Sequence, residues 1–362
     1  MPNALKPLII GDLTIRVPII QGGMGVRVST ASLASAVANC GGAGTIASAA
    51  LGSGTKENET NFAKASREGL EKEIRQAKEL TQGIVGVNIL VALSNYEDIV
   101  RTAVREKADF IVSGAGLPMR LPELTKDSPV KLIPIVSSPR AANIIIKTWT
   151  KRYDRVPDAI VVEGAMAGGH LGFHAADLKS GNVSPLKDIV TDVIKLVKEF
   201  ETTLKRNIPV IAGGGIFDGK DAARFFKLGV SGVQIATRFV ATFECSVADE
   251  FKQLYIKAGK DDVLIIDSPV GMPGRAIKTK FVEKVMHGER VPVVCNYQCL
   301  RTCDPSVAPY CIMKALSNAV KGDLDNAVVF AGKNVSRVDK IVSVKELMDE
   351  IVRETIEELD KT

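Results

Sequence analysis

Eight short apolar runs constrain this 362-residue chain most strongly. Each ends in small residues and gives way to a helix-compatible or polar segment. They are Pro18–Ile20, Gly44–Ser48, Ile84–Leu93, Asp109–Gly116, Lys131–Ser138, Ala159–Val162, Pro209–Ala212 and Gly232–Ala236. Apolar residues that run on without alternating mark strands buried on both faces, as parallel strands covered by helices are. Eight of them interleaved with helices predict an α/β fold, a (β/α)8 TIM barrel, over about residues 15–250. An open doubly wound sheet would need a G-x-G-x-x-G turn after its first strand and an acid after its second. Gly22-Gly23-Met24-Gly25 does not fit that turn, and no suitable acid ends the second run.

Beyond residue 250 the pattern changes to turns, a cysteine cluster and a terminal amphipathic stretch, Ser343–Leu359. The expected organisation is a barrel over 1–250, a smaller extension over 251–335 covering the barrel mouth, and a helix over 336–362 on the outside. Charge narrows the function classes. Lys and Arg number 47 against 42 Asp and Glu, a net +5 that is interspersed along the chain. Without a basic stripe, no nucleic-acid partner is expected. No apolar run reaches transmembrane length and no signal peptide is recognisable, so the expectation is a cytoplasmic protein with no membrane contact. The expected partners are a small-molecule substrate and a second copy in a homodimer.

In a barrel the C-terminal strand ends share one face, where chemistry gathers. Here those ends are small: Gly22-Gly23, Ser48, Asn88, Ser113-Gly114, Gly164, Gly213-Gly214-Gly215 and Ala236-Thr237. A mouth of this kind has room for a wide, flat ligand. The most distinctive stretch is Asp158–Gly172, which runs through Gly168-Gly169 to His170, one of only three histidines. The loops after strands seven and eight occupy the place where barrels bind phosphate through backbone N–H groups, and Thr237 adds a hydroxyl. A flat ring with a phosphate tail reads as flavin mononucleotide (FMN).

Five segments carry a resemblance: Gln21–Met24, Gly86–Ile89, Ala167–Gly172, Ala212–Ile216 and Gln234–Phe239. Together the chain resembles the nitronate monooxygenase family, also called 2-nitropropane dioxygenases, over roughly residues 8–285. The flavin-type enoyl-acyl-carrier-protein reductases share the pattern. The resemblance implies that Gly22, Gly23 and Met24 line the flavin ring and that Asn88 bonds to it. Gly213, Gly214, Gly215, Ala236 and Thr237 would hold the phosphate. Gly168 and Gly169 belong to the loop against which the cofactor lies, and His170 would be catalytic. The implied activity is oxidation of nitronates or nitroalkanes with O2. An imidazole titrating near its ordinary pKa of ~6.5 would serve as base. The alternatives are NAD(P)H-dependent reduction of an enoyl thioester or quinone, with His170 polarising the carbonyl, and a flavin-binding redox sensor. Two positions depart from the family: Met166 stands in the place of a Glu, leaving Glu163 as the nearby acid, and Ala236 stands in the place of a Gly. His174 reads as a loop contact, and His287 carries no assigned role.

Cys295, Cys299, Cys303 and Cys311 fall within seventeen residues. Their C-x3-C-x3-C-x7-C spacing is neither a zinc knuckle nor a ferredoxin run. In a helix the first three would share one face, and Pro305 and Pro309 would let Cys311 fold back. Two readings stay open, a four-cysteine site for an iron–sulfur cluster ahead of zinc, and buried cysteines with one redox pair. Cys40 and Cys245 read as buried packing residues.

Overall fold

The computed structural model describes residues 5–52, 61–295 and 297–361. A hairpin of β1 (Leu8–Ile10) and β2 (Leu13–Ile15) comes first. The barrel strands follow: β3 (Ile19–Gln21), β4 (Ala43–Ala47), β5 (Ile84–Leu90), β6 (Phe110–Gly114), β7 (Lys131–Val136) and β8 (Ile160–Glu163). A two-residue strand, β9 (Gly169–His170), precedes the last two staves, β10 (Val210–Gly213) and β11 (Gly232–Ile235). Each stave pairs in parallel with the next, and β11 returns to β3, so the eight close into the expected (β/α)8 barrel. The third run was expected to reach Leu93, yet β5 stops at Leu90, where the chain turns and Leu93 donates its N–H back to the Leu90 carbonyl.

Strand periodicity explains why the runs read as continuously apolar. Ile20, Ala43, Phe110, Val112, Ile133, Ala159, Val161 and Ile211 point into the barrel, together with Leu8, Ile10 and Ile15 of the hairpin. Their neighbours in the chain, among them Ile19, Ile46, Val87, Ile111, Ile160, Val162, Val233 and Ile235, belong to the layer under the helices. Both faces are thus buried. Carrying the alternation to the C-terminal ends puts Gly22, Asn88, Gly114, Glu163, Gly213 and Gln234 in the topmost inner layer.

The helices begin where capping chemistry allows. Asn61 accepts the Lys64 N–H ahead of helix Phe62–Leu80, and Ser138 accepts the Ala141 N–H ahead of Pro139–Tyr153. In the sequence the first reads as an amphipathic helix from about Glu57 to Leu80, and residues 57–60 lie outside the described residues. Helix Val344–Leu359 starts with a Ser343–Glu346 capping box and packs on helix Gly219–Lys227, where Glu354 accepts the Gly219 N–H at 3.0 Å.

The chain beyond the barrel forms β12 (Val263–Asp267), β13 (Pro273–Ile277) and β14 (Val329–Phe330), an antiparallel sheet. β13 also pairs with β9, matching Gly274 to His170 and Arg275 to Gly169. A second apolar cluster, including Val26, Leu93, Ile266, Phe281, Tyr310 and Val328, fills the space between this sheet and the barrel loops.

Gly44 on β4 faces the backbone of helix Ala31–Asn39 so closely that a Cβ there would stand 1.9 Å from the Ala34 carbonyl oxygen. Overpacking against backbone has no flexible neighbour to absorb it. Gly44→Ala is expected to lose about 3 kcal/mol or more. A urea midpoint indistinguishable from that of the parent would contradict this packing.

Candidate active site

The barrel mouth opens into a cavity walled on one side by Gly22, Gly23, Met24 and Asn88. Gly23 has to be a glycine here, since a Cβ would stand 2.3 Å from the Asn88 Cβ. Gln21 shapes this wall from behind: its amide donates to Ser29 Oγ at 2.8 Å and accepts the Thr45 N–H at 3.0 Å. Ser29 Oγ in turn accepts the Met24 N–H at 3.0 Å. The Thr45 Cγ2 would stand 3.3 Å from a Cβ on Gly23 and closes the wall from behind. The wall is therefore narrow, small and rigid, and it fits a planar heteroaromatic ring.

Across the mouth, Gly214 (φ +87°) and Gly215 (φ +104°) are in the left-handed region. The N–H groups of Gly214, Gly215 and Thr237 have no acceptor among the described residues. Successive free amides beside a strand end make an anion-binding concavity. Thr237 Oγ1 accepts the Gly332 N–H at 3.0 Å, which leaves its own proton for an anion. Asn334 donates to the Gly215 carbonyl at 2.7 Å, fixing the loop from the side of the extension. Ala236 is in the cavity wall, but Gly213 is not: it is the last residue of β10, turned toward Gln234. The residues present fit an FMN, ring against Gly22–Met24 and phosphate against Gly214–Gly215 and Thr237.

Gly168, Gly169 and His170 form the wall between these two ends. Strand pairing to β13 holds His170 in place. Its Nε2 is 2.8 Å from Ser268 Oγ, and its ring meets Phe330 edge-on with centroids 4.9 Å apart. Burial drives the imidazole pKa down to about 4. The expectation of an imidazole titrating near neutrality is thus corrected: His170 is neutral across the physiological range. Arg275 on β13, 7 % exposed, donates through Nη1 to the carbonyls of Ala165 and Ala167, clamping the turn that leads to His170. Burial lowers its pKa to about 10, which leaves it charged at neutrality. Met166 lies over the loop after β10, where a Cβ on Gly215 would stand 2.9 Å from the Met166 Cβ. His174 is in a neighbouring groove with Asp267 and Ser268, and the Nδ1 of His287 is engaged with the Glu283 carbonyl at 2.7 Å.

The cysteine segment lies apart from this cavity, and the structure gives no support to an iron–sulfur or zinc site there. Cys295, Cys299, Cys303 and Cys311 are free thiols, and among the described residues no group of three or more His, Cys, Asp or Glu could hold a metal ion. The segment is not helical, so four-residue spacing does not put the thiols on one face. It is pinned in an irregular path by Ser94 N–H to Cys299 O (3.1 Å) and Arg301 N–H to Ala92 O (3.0 Å). Cys299 is buried in the apolar cluster, which pushes its thiol up to about 12. Cys311 caps helix Ile312–Val320. Cys245 is buried as expected, while Cys40 is only partly so.

Ser268, Arg275, Phe330 and Asn334 come from beyond the barrel, and no local motif announces them. Ser268→Ala, which removes the hydrogen-bond partner of His170, is expected to lower kcat/KM about tenfold or more with the melting temperature nearly unchanged. By NMR the His170 ring is expected to stay neutral from about pH 8 down to about pH 5. A native-state titration midpoint near 6.5 would contradict the burial.

The nitronate monooxygenase family model matches residues 6–354. A Mycobacterium tuberculosis protein named (3aS,4S,5R,7aS)-5-hydroxy-7a-methyl-1-oxo-octahydro-1H-indene-4-carboxyl-CoA dehydrogenase is 30% identical over 273 residues, 75% of this chain and 66% of that protein. The Rhodococcus jostii protein of the same name is 25% identical across 99% of this chain and 98% of its own length. Among solved structures, FabK from Thermotoga maritima is 30% identical, with TM-score 0.75 over 96% of this chain and 95% of that one. A nitroalkane oxidase from Streptomyces ansochromogenes, 20% identical, shares the fold with TM-score 0.73 over 95% of this chain and 97% of that one. Among the described residues no helix is long and apolar enough to cross a membrane. The chain belongs to the nitronate monooxygenase family and is a flavin-dependent oxidoreductase.

Proposed function

We propose that the chain binds FMN and catalyses hydride exchange at a carbon conjugated with a carbonyl group, as in an enoyl thioester. The observation that carries this reading is a neutral His170 in a cavity wall that includes no lysine or arginine. A neutral imidazole whose Nε2 accepts the Ser268 hydroxyl proton presents Nδ1–H as a donor. A donor held in that way polarises a carbonyl oxygen as charge develops there. An anionic substrate, by contrast, would enter a low-dielectric site with no cation to meet it. When bound, FMN supplies the two-electron redox centre.

The remaining residues bind, orient and exclude water. Gly214, Gly215 and Thr237 hold the phosphate through amides and a hydroxyl. Gly22, Gly23, Met24 and Asn88 receive the ring, and Gly168-Gly169 let the loop approach it. Phe330 packs against the His170 ring and limits access of water to it. The similarity to FabK at 30% identity and to carboxyl-CoA dehydrogenases at 25–30% favours a thioester substrate. Oxidation of nitronates with O2 is the second reading. It is favoured by the family match and by Staphylococcus proteins named probable nitronate monooxygenases, 25–27% identical.

The test is anaerobic mixing of holoenzyme. NAD(P)H is expected to bleach the flavin and an enoyl thioester to restore its colour. His170→Ala should keep its flavin and slow the second step about 100-fold or more. No response to NAD(P)H or to thioesters, with oxygen uptake on adding a nitronate, would overturn the thioester reading in favour of the second.

A further inference from the structure

Glu163 is the acid that neither reading uses. Ala159 and Val161 point into the barrel while Ile160 and Val162 point out, so Glu163, two residues beyond Val161, points in. It ends β8 in register with Gly213, and it is part of the cavity wall. Its carboxylate has no hydrogen-bond or ion-pair partner among the described residues. An unpaired carboxylate in the dry interior of a barrel is costly, and the cost falls when it takes a proton.

The surroundings offer no other charge to balance it. On β7 the nearest charged residue is Lys131, at the opposite end of the strand and paired with Asp12 at 2.6 Å. β10 carries no charged residue. At the start of its own strand, Asp158 is paired with Arg155 at 2.5 Å. Arg275 is spent on the carbonyls of Ala165 and Ala167. Of the titratable groups in the cavity wall, His170 is held neutral and Tyr255 is driven far above its ordinary value by burial. Burial alone pushes Glu163 up to about 7, so it is balanced between its two forms near neutrality.

We propose that Glu163 is a redox-linked proton site, whose carboxylate takes one proton from solvent when the flavin gains two electrons and returns it when they leave. The inference rests on the FMN reading above. The electrons come from the reductant that serves the flavin. The proton comes from water, and the one bond formed on the protein is the Glu163 O–H. The driving force is like-charge repulsion: negative charge arriving on the ring disfavours the ionised carboxylate.

The experiment counts protons. Holoprotein is photoreduced anaerobically in weak buffer with an indicator dye, for the parent and for Glu163→Gln, after flavin content has been measured in each. At about pH 8 the parent is expected to take up about one more proton per flavin than the variant. At about pH 5, where Glu163 is protonated before reduction, the difference should vanish. Equal counts at pH 8 with full flavin in both proteins would overturn the proposal. If Glu163→Gln fails to fold or to hold flavin, the parent's reduced-minus-oxidised infrared difference spectrum decides. A protonated-carboxyl band that shifts in D2O is expected, and its absence would overturn the proposal. A parent protein that holds no flavin would instead overturn the FMN reading, and the two failures are distinguishable.

Discussion

Two residues of backbone pairing, Gly169–His170 against Gly274–Arg275, join the sixth barrel loop to the sheet beyond the barrel. Much of the site depends on that junction. It presents His170 at a fixed angle, brings Ser268 to its ring, and sets the Arg275 guanidinium over the carbonyls of the preceding turn. A glycine-rich loop left alone would sample many conformations. Here pairing and a buried cation hold it in one. Gly332 and Asn334 fasten the loops after β10 and β11 on the other side of the mouth in the same way.

Much of the barrel was legible because buried parallel strands leave an unmistakable trace. Both faces of Ile160–Val162 are covered, so all three residues are apolar, and the same holds for Val85–Ile89 around the small Gly86 and the polar Asn88. Small residues at the strand ends were legible too, since Gly23 is required by its distance to Asn88 and Gly214–Gly215 by their backbone conformation. Ser268, Arg275 and Phe330 were not. They reach the mouth through long-range strand pairing, and nothing local distinguishes that Ser from any other. The shared helical face read from the cysteine spacing failed for a related reason. Spacing of four residues predicts a shared face only in a helix, and the segment takes an irregular path pinned to Ala92 and Ser94.

His170 shows how environment revises a residue read correctly by type. The sequence places a histidine at the mouth, but its protonation depends on what buries it. Phe330 and the covering sheet lower its pKa to about 4, while the same dryness raises Glu163 to about 7. Two groups on one loop and its parent strand are thus pushed in opposite directions by one cause, loss of water. The result is a neutral imidazole and an acid balanced near neutrality in the wall of one cavity that includes no lysine or arginine. That arrangement suits chemistry on a neutral, polarisable substrate better than capture of an anion.

On the reading proposed above, the mouth is a cradle for a phosphate-bearing flavin. The most direct measurement is titration of the flavin-stripped protein with FMN and, separately, with riboflavin, which lacks the phosphate. One FMN per chain is expected, bound about 100-fold or more tightly than riboflavin, since free amides and a hydroxyl await the phosphate. Equal affinity for the two flavins, or no binding of either, would contradict it.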